Sequence, residues 1–376
     1  MGVRIRTMRI DYLSASEIPS RTGNSVHVMK MCNAFGAQGH EIVLYARKGN
    51  PAKIDPYAQY GVQDTFPIIF FPWPKLRVVG PLIYVWRVFF RLLRSPRPDL
   101  FYSRYVYLIF LASFLGVPCI YEAHVFPAGP IERLVEALLV RRRTFRRLVV
   151  ISDALRRDYL KAYPSLGAGR MVVAHDSADI PREKFDRQDG KPIDSKAGLQ
   201  VGYVGQLYPG KGMEIVSQLA PRFPELTFHV VGGRDEDLNF WKERTGFPNL
   251  IFHGYVNPGD IGRYYRQFDI MLAPLLNKVT LEGGKGDISR WTSPLKVFEY
   301  MAHGKAIMAS DLPVLREVLQ NGVTAVMVPP EDINAWAVAL KDLVQDGALI
   351  ARLGLAARRL LEEEFTWDRR VFRVLS

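Results

Sequence analysis

The residues with the clearest capacity for chemistry lie in one stretch, from Thr292 to Gly304. Ser293 is a good helix N-cap, and Pro294 suits the first helical position, where its missing N–H costs nothing. Gly304 suits the left-handed conformation that closes many helices. The stretch therefore predicts a short helix with both ends marked.

The start of this helix has the features of an anion site. A helix start leaves backbone N–H groups without intrahelical partners and carries partial positive charge. Those donors fall at Leu295 and Lys296, close to the hydroxyls of Thr292 and Ser293. Phosphate is the commonest ligand of such a site. Glu299 lies on the same face, and an acceptor-only carboxylate suits the paired hydroxyls of a ribose. The alternative is a capped surface helix with a Lys296–Glu299 ion pair.

A second candidate phosphate element opens the later half of the chain. A predicted strand leads into Gly205 and Gln206, and Lys211 follows between two glycines, before a helix that begins at Met213. Glycines permit close approach of a phosphate, and the lysine supplies charge. The spacing and the missing Ser/Thr exclude a Walker loop.

The first half begins with a strand from Thr7 to Leu13, a polar loop that contains Gly23, and a helix capped by Asn24. Such an opening is typical of a βαβ unit. It contains no Gly-x-Gly-x-x-Gly, which disfavours a dinucleotide cofactor. His124 follows another predicted strand at its carboxyl end, where ligands bind in open α/β sheets. A structural histidine is the alternative there, and the role of Glu122 stays open.

Ser-Pro-Leu-Lys, followed by Glu-Tyr-Met-Ala-x-Gly and an apolar strand, resembles the donor-binding signature of the retaining family-four glycosyltransferases, which have the GT-B fold. The resemblance extends over most of the chain. The family motif has two glutamates; Glu299 matches the second, whereas Trp291 stands at the first. In the family's glycine-rich element, Lys211 matches the lysine, and Gln206 stands where an arginine is usual.

The resemblance implies roles for these residues. A loop glycine matching Gly23 would contact the donor phosphates, with His27 facing the acceptor, and a histidine matching His124 would contact the transferred sugar. The base would lie near Val256, and the positive charges would make a metal unnecessary. The implied donor-binding residues are Gly23, Gly205, Gln206, Lys211, Gly232, Tyr255, Val256, Thr292, Ser293, Leu295, Lys296 and Glu299, and the implied catalytic residues are His124, Glu299 and Lys211.

The chain of 376 residues carries a formal net charge of +12. Such an excess of positive charge suggests an anionic partner, such as nucleic acid, an anionic membrane or a phosphorylated substrate. Between positions 75 and 97, apolar and aromatic residues are interleaved with arginines. Such a helix can lie on an anionic bilayer, although a buried helix with an ordinary basic face is the alternative. A second arginine-dense stretch ends a predicted helix from Ile131 to Arg147. Nucleic acid would suit the positive charge, but the sequence contains no recognisable nucleic-acid-binding motif.

Strands and helices alternate in two blocks separated by a hydrophilic stretch between positions 177 and 196. This pattern predicts two Rossmann-like doubly wound α/β domains facing a cleft, the GT-B arrangement. We place an acceptor domain at 1–180, a donor domain at 181–364 and, from the resemblance, a tail helix at 365–376 that returns to the first domain. A further helix is predicted from Pro313 to Gln320.

The function implied is retaining, metal-independent transfer of a sugar from a nucleotide-diphosphate sugar to a lipid-linked or polysaccharide acceptor in cell-envelope glycan synthesis. UDP is favoured over GDP as the donor nucleotide because no feature of the sequence requires a pocket large enough for a purine base. No transmembrane helix or signal peptide is predicted, and two cysteines fit a reducing compartment, so we expect a cytoplasmic protein, peripheral on the inner membrane face. The alternatives are a nucleotide-sugar epimerase of the same fold and a non-catalytic membrane-associated scaffold with a vestigial site.

Overall fold

The computed structural model describes residues 6–49, 54–74, 76, 79–181, 198–280 and 287–376. It divides into two compact units. Unit 1 comprises Met1–His175 together with Trp367–Ser376, and unit 2 comprises Asp176–Thr366. These breaks lie at 175 and 366, beside the limits at 180 and 364 that we drew from composition and resemblance.

Unit 1 contains a sheet of seven strands in the order β3-β2-β1-β4-β5-β6-β7, and every neighbouring pair is parallel. Parallel sheets need crossover connections, which the intervening helices supply. The strands are β1 (Arg9–Ile18), β2 (Glu41–Lys48), β3 (Ile68–Phe71), β4 (Leu100–Ser103), β5 (Cys119–Ala123), β6 (Phe145–Val150) and β7 (Met171–Val173). The helices are α1 (Gly23–Ala37), α2 (Pro56–Tyr60), α3 (Val79–Leu93), α4 (Val106–Ala112), α5 (Pro130–Leu139) and α6 (Asp153–Ala162).

Strand β1 is longer than the sequence predicted. The segment after Leu13 looked like a polar loop, but Ser14 and Ser16 are buried within the sheet. The Ser14 carbonyl accepts a hydrogen bond from the Tyr84 hydroxyl. Pairing with β2 resumes at Glu17 and continues to Ile18. Serines can be buried in a central strand when their hydrogen bonds are made inside the protein. The polarity of Ser14 and Ser16 therefore made this part of the strand look like a loop.

The predicted helix from Ile131 to Arg147 was wrong at its end. Helix α5 ends at Leu139, and Arg146 and Arg147 lie in β6. The segment from Leu148 to Val150 is fully buried between β5 and β7, so sheet pairing takes precedence over local helical pattern. The arginines of this stretch therefore do not all lie in the last turn of a helix, where they would interact favourably with its dipole.

Unit 2 repeats the architecture with six parallel strands in the order β10-β9-β8-β11-β12-β13. The strands are β8 (Gln200–Val204), β9 (Thr227–Val231), β10 (Leu250–Gly254), β11 (Ile270–Ala273), β12 (Ala306–Ser310) and β13 (Val326–Val328). The helices are α7 (Met213–Leu219), α8 (Asp235–Arg244), α9 (Gly262–Gln267), α10 (Leu295–Ala302), α11 (Ile333–Gln345) and α12 (Gly347–Glu364). Along β11, Ile270 and Leu272 join one hydrophobic cluster, and Met271 and Ala273 join another. This alternation shows that both faces of the sheet are covered.

The helix predicted from Pro313 to Gln320 is instead a series of turns with one short 3₁₀ segment, Leu315–Glu317. Leu312, Val314 and Leu315 are all buried. Three buried side chains so close together exceed what one face of a short α-helix can bury, and the tighter turn places them all inside.

The last helix, α13 (Trp367–Leu375), belongs to unit 1 although it follows unit 2 in the chain. Gln38 at the end of α1 donates a 2.8 Å hydrogen bond to the carbonyl of Asp368. Arg147 donates to the carbonyls of Arg373 and Val374 at 3.3 and 3.1 Å, which satisfies the end of the helix. The tail therefore returns to the first unit, as the resemblance implied.

Two Rossmann-like units with all-parallel sheets and a returning last helix confirm the predicted fold class, that of GT-B proteins. Within the described ranges, no helix combines the length and the apolar character needed to cross a bilayer. Cys32 and Cys119 are both buried as free thiols.

Candidate functional site

Helix α10 carries the motif from which the anion site was predicted, and its start differs in one detail. The N-cap residue is Pro294, not Ser293, and no side chain caps the helix. The Ser293 hydroxyl accepts a 2.9 Å hydrogen bond from the Asp176 N–H instead. Gly304 has φ +58°, the left-handed conformation predicted at the other end. Because no side chain caps the helix, its first N–H groups, which point along the axis out of the N-terminal end, remain available to a ligand there.

Tyr300 fixes α10 against the sheet. Its buried hydroxyl accepts from the Val204 N–H at 3.0 Å and lies 3.1 Å from the Val204 carbonyl, at the end of β8. The helix that carries Lys296 and Glu299 is therefore held beside the loop that begins at Gly205. The two phosphate elements predicted separately form one region of unit 2.

Glycine is required where the ends of β8 and β9 meet. The Gly232 N–H donates to the Gly254 carbonyl at 2.7 Å, and its φ is +111°. A Cβ atom at Gly232 would collide with the backbone carbonyl of Gly205. The space beside Gly205 is occupied by Lys296, whose Cδ and Nζ would lie 3.6 and 3.9 Å from a Cβ there. These glycines therefore bring the backbone and the lysine together.

The two lysines predicted to hold phosphate lie side by side. The Lys296 ammonium donates to the Lys211 carbonyl at 3.4 Å and lies 4.3 Å from the centre of the Tyr203 ring. The Tyr203 hydroxyl donates to the carbonyls of Gln206 and Lys211 at 2.6 and 2.9 Å, so it fixes the loop between them. Tyr203 gave no signal in the sequence beyond its place in an apolar strand.

Burial disfavours the charge of both lysines. It lowers the pKa of Lys211 to about 8. It also lowers the pKa of Lys296 to about 7, and the nearby Lys211 charge lowers it further. Two half-buried cations that lie this close together are stabilised by an anion bound beside them. Gln206 carries no charge, and Lys296 places a second cation beside Lys211.

These pKa values predict that a diphosphate binds together with a proton. Near pH 8, Lys296 is mostly neutral and UDP is fully ionised, since the last phosphate pKa is about 6. A bound diphosphate favours the charged lysines, so binding takes up protons and affinity falls as pH rises above about 7. Calorimetry at pH 8 in buffers of different ionisation enthalpy measures the uptake. An enthalpy that is independent of the buffer would contradict this prediction, and Lys296→Met should reduce the uptake.

Glu299 is held by residues that the sequence did not identify as site residues. Its Oε2 accepts a 2.6 Å hydrogen bond from the buried Tyr265 hydroxyl. Nδ1 of His303 lies 2.8 Å from the Glu299 carbonyl, and the His303 ring lies 4.5 Å from the Tyr265 ring. The Lys296–Glu299 ion pair, which belonged to the alternative interpretation of this helix, is not formed, and Lys296 turns toward the loop of Lys211. The Tyr265 hydroxyl therefore fixes the orientation of the Glu299 carboxylate.

The remaining predicted donor residues of unit 2 lie at strand ends or near α10. Tyr255 and Val256 directly follow β10, and both are half-buried. Thr292 is buried just before α10, and Trp291 is half-buried. Residues 281–286, in the polar segment between β11 and α10, lie outside the described residues.

In unit 1, Gly23 is exposed as the first residue of α1. The helix cap is Thr22, whose hydroxyl accepts from the Ser25 N–H at 3.3 Å, so the predicted cap at Asn24 was wrong by two residues. Ser25 also accepts a hydrogen bond from the Ser20 hydroxyl at 2.9 Å. These hydroxyls and the helix start leave Gly23 at a polar edge of the unit.

His124 lies immediately after β5, and its side chain is 20% exposed. Its Nε2 is hydrogen-bonded to Oε1 of Glu122, which also lies 3.2 Å from Nε2 of His27. Burial lowers the pKa of His124 to about 4, and the charge of Arg104 acts in the same direction. His124 is therefore neutral near pH 7. The carboxylate that sequence analysis left without a role holds the imidazole.

Two glycosyltransferase domain models match the chain, one in each half. The model described as "Glycosyltransferase Family 4" matches residues 21–180, and the model described as "Glycosyl transferases group 1" matches residues 198–346. The two halves of the chain therefore match two kinds of glycosyltransferase domain, and the fold is that of GT-B glycosyltransferases.

Individual proteins are similar over shorter or more divergent stretches. A phosphatidyl-myo-inositol mannosyltransferase of Mycolicibacterium smegmatis is 30% identical over 56% of this chain and 50% of its own length. TuaH of Bacillus subtilis, named as a glycosyltransferase of teichuronic acid biosynthesis, is 26% identical over 54% of each chain. The chain thus spans about half the length of the curated relatives it matches. The crystal structure of Anabaena HepE with UDP superposes with a TM-score of 0.71 at 17% identity, covering 98% of this chain and 99% of that one.

Proposed function

We propose that this protein is a retaining glycosyltransferase that transfers a sugar from a UDP-sugar to a lipid-linked or polysaccharide acceptor in cell-envelope glycan synthesis. The observation that carries the proposal is the arrangement in unit 2. Two half-buried lysines, Lys211 and Lys296, lie together near the start of α10, and Glu299 on the same helix is held by Tyr265. Cations and helix N–H groups suit a diphosphate, and an oriented carboxylate suits a ribose.

The relatives support the choice of substrates. HepE is crystallised with UDP, which agrees with UDP ahead of GDP as the donor nucleotide. The mycobacterial relative is named for mannose transfer to a phosphatidyl-inositol lipid, and TuaH for a wall polymer. A membrane lipid or an envelope polysaccharide is therefore the acceptor class that we propose.

In the proposed reaction, the bond between the sugar and the diphosphate breaks, and a bond from the acceptor oxygen to the same carbon forms on the same face. The acceptor proton passes to the leaving phosphate, as is usual for the family. Lys211, Lys296 and the helix start stabilise the charge that develops on the leaving group, and His124 orients the sugar. Because these cations act at the diphosphate, we propose that no metal ion is needed. Most of the acceleration then comes from positioning and electrostatics.

The first test is calorimetric titration with UDP, GDP, ADP and TDP in the presence of EDTA. Binding of UDP, ahead of the other diphosphates, is the expected result. UDP-sugars are then offered with lipid and glycan acceptors, and NMR reads the anomeric configuration of the product. Absence of binding by every diphosphate, inversion at the anomeric carbon, or epimerisation of the donor without acceptor would each contradict the proposal.

We further propose that unit 1 docks on an anionic membrane through α3. Val79, Leu82, Trp86, Phe90 and Leu93 follow one stripe of this helix and are between 47 and 56% exposed. The opposite face is buried, so this is an amphipathic helix with an apolar side turned to solvent. No acidic residue occurs in α3, and its basic residues are exposed, as are those just after it: Arg87, Arg91, Arg94 and Arg97. Such a helix fits the boundary of an anionic bilayer, with arginines at the headgroups.

Changing Trp86 and Phe90 together to serine is expected to reduce binding to vesicles that contain phosphatidylglycerol by at least about tenfold. Each side chain contributes about 1.5–3 kcal/mol when it is removed from water. Sedimentation with vesicles of phosphatidylcholine, with and without phosphatidylglycerol, measures the change. Val338→Ser on α11, which removes an equally exposed side chain from unit 2, is the control. Equal binding by both variants and the unchanged protein would exclude α3 as the docking surface.

A further inference from the structure

The last helix buries a charged group in unit 1. Arg370 of α13 is 1% exposed, and its guanidinium is held by five acceptors. It donates to both carboxylate oxygens of Glu122, at 3.0 Å to Oε1 and 3.3 Å to Oε2. It also donates to the carbonyls of Ala174 and His175 at 3.1 and 3.0 Å, and lies 3.6 Å from the Met31 sulfur. This is a fork-to-fork pair with every direction of the guanidinium used.

Glu122 is the centre of this network. It is fully buried in β5, and it accepts a hydrogen bond from the Tyr102 hydroxyl as well as from Arg370. Burial alone would raise the pKa of the Glu122 carboxyl, but the Arg370 charge and the two nearby histidines hold it well below its usual range. The carboxylate is therefore ionised, and it can only accept hydrogen bonds.

An ionised Glu122 determines which nitrogen of His124 carries the proton. The carboxylate faces Nε2 of His124, so the neutral imidazole must carry its hydrogen on Nε2 and leave Nδ1 as an acceptor. His27 approaches the same oxygen and meets the His124 ring edge to face at 4.9 Å. His27 in turn packs against Trp367, which lies one helical turn before Arg370 on α13. Of the two histidines, only His124 has an exposed portion with which to meet a ligand.

Glu122, His27 and His124 are close enough to one another to hold a metal ion. A cation there would compete with the Arg370 guanidinium for Oε1 of Glu122 and would lie close to a buried positive charge. Breaking such a buried pair costs far more than a surface pair does. The geometry therefore favours a charge pair that orients the imidazole.

We propose that Arg370 and Glu122 are positioning residues that fix the His124 imidazole with its proton on Nε2, so that Nδ1 accepts a hydrogen bond from a hydroxyl of the donor sugar. This makes α13 part of the catalytic apparatus and not merely a structural tail. The proposal rests on the proposed function, in which His124 orients the sugar. It adds two residues, 248 positions apart in the sequence, to which the motif gives no role.

The test uses the double variant Glu122→Gln/Arg370→Gln, which removes both charges together and so leaves no buried ion without a partner. The glutamine at position 122 can donate as well as accept, so it no longer selects the Nε2–H form. Nitrogen NMR of histidine-labelled full-length protein at pH 7 reports the tautomer, with the His124 signal assigned by its loss in His124→Asn. We expect the Nε2–H tautomer in the unchanged protein and a mixture in the double variant. In sugar transfer we expect kcat to fall about 10- to 100-fold with UDP affinity unchanged, because one misplaced hydrogen bond is worth about that much.

Arg147→Gln is the matched control. Arg147 also holds α13, through the carbonyls of Arg373 and Val374, but it has no contact with Glu122. It should leave the tautomer and kcat unchanged. An unaltered His124 tautomer in the double variant, or an equal fall of kcat in Arg147→Gln, would show that the pair only anchors the helix. If the unchanged protein transfers no sugar, the proposed function fails, while the NMR comparison still decides whether the pair controls His124.

Discussion

Replacing Lys296 with methionine is expected to weaken the binding of UDP by about 10- to 150-fold, or about 1.5–3 kcal/mol, the range for losing a hydrogen bond to a charged group. Lys296 lies against Lys211 and the Tyr203 ring, at the loop where a diphosphate would meet the start of α10. With Gln206 in place of an arginine, the chain has no other cation matched to this role in the family pattern.

The same change is expected to leave the fold intact or to make it more stable. Burial lowers the pKa of Lys296 to about 7, so folding at neutral pH or below places an ammonium in an unfavourable environment. The unfolded chain binds more protons between about pH 7 and the usual lysine pKa of about 10.4, so this cost shrinks as pH rises through that window. Methionine has a similar length and no charge. Weaker binding together with equal or higher Tm would therefore indicate a group retained for function.

Calorimetry with UDP and thermal unfolding at pH 7 measure the two effects. Lys341→Met, on the exposed face of α11, makes the same chemical change in unit 2 and should alter neither. Unchanged UDP affinity in Lys296→Met would exclude Lys296 from the phosphate site. A parallel loss of affinity and Tm would assign it a structural role instead.

Replacing Glu299 with alanine is expected to weaken UDP binding by about 1–3 kcal/mol, or about 5- to 150-fold. Glu299 is half-buried, and one of its oxygens is tied to the Tyr265 hydroxyl at 2.6 Å. A carboxylate that is already oriented loses little conformational entropy when it accepts hydrogen bonds from a ribose. Removing it should therefore weaken UDP binding. The variant also leaves the buried Tyr265 hydroxyl without this acceptor, which should lower stability.

The ribose assignment can be tested with 2′,3′-dideoxy-UDP. The unchanged protein should bind UDP more tightly than the dideoxy compound, and Glu299→Ala should bind the two with nearly equal affinity. Glu299→Ala/Tyr265→Phe should recover stability without recovering affinity, which separates the buried hydroxyl from the ligand contact. Glu363→Ala on the exposed face of α12 is the matched control. Persistent discrimination against the dideoxy compound in Glu299→Ala would remove the assignment.

Local signals in the sequence were sufficient for the fold class and for some local features of the candidate site. Alternating strands and helices, and a left-handed glycine at Gly304, depend on neighbours a few residues away, so they can be read along the chain. Lys211 was found because a lysine between glycines after a strand has few structural explanations. These features follow from backbone geometry and short-range patterning.

Local signals failed where a tertiary contact outweighed them. Ser14 and Ser16 extend β1 because the sheet buries them, and Arg147 lies in a strand because β6 pairs on both sides. Ser293 does not cap α10, since its hydroxyl accepts from the Asp176 N–H. In each case the deciding contact is made with residues distant in sequence, so the local pattern could not predict it.

The sequence by itself determined that this protein has two doubly wound units and a short helix that carries Lys296 and Glu299. Only the tertiary structure decided that Lys296 turns to the loop of Lys211, that Tyr265 holds Glu299, and that Arg370 reaches Glu122. The physical reason is the separation along the chain of the residues that interact. Helix periodicity and turn conformation are set by adjacent residues, whereas the partner of a buried charge is set by which elements the packed sheets bring together.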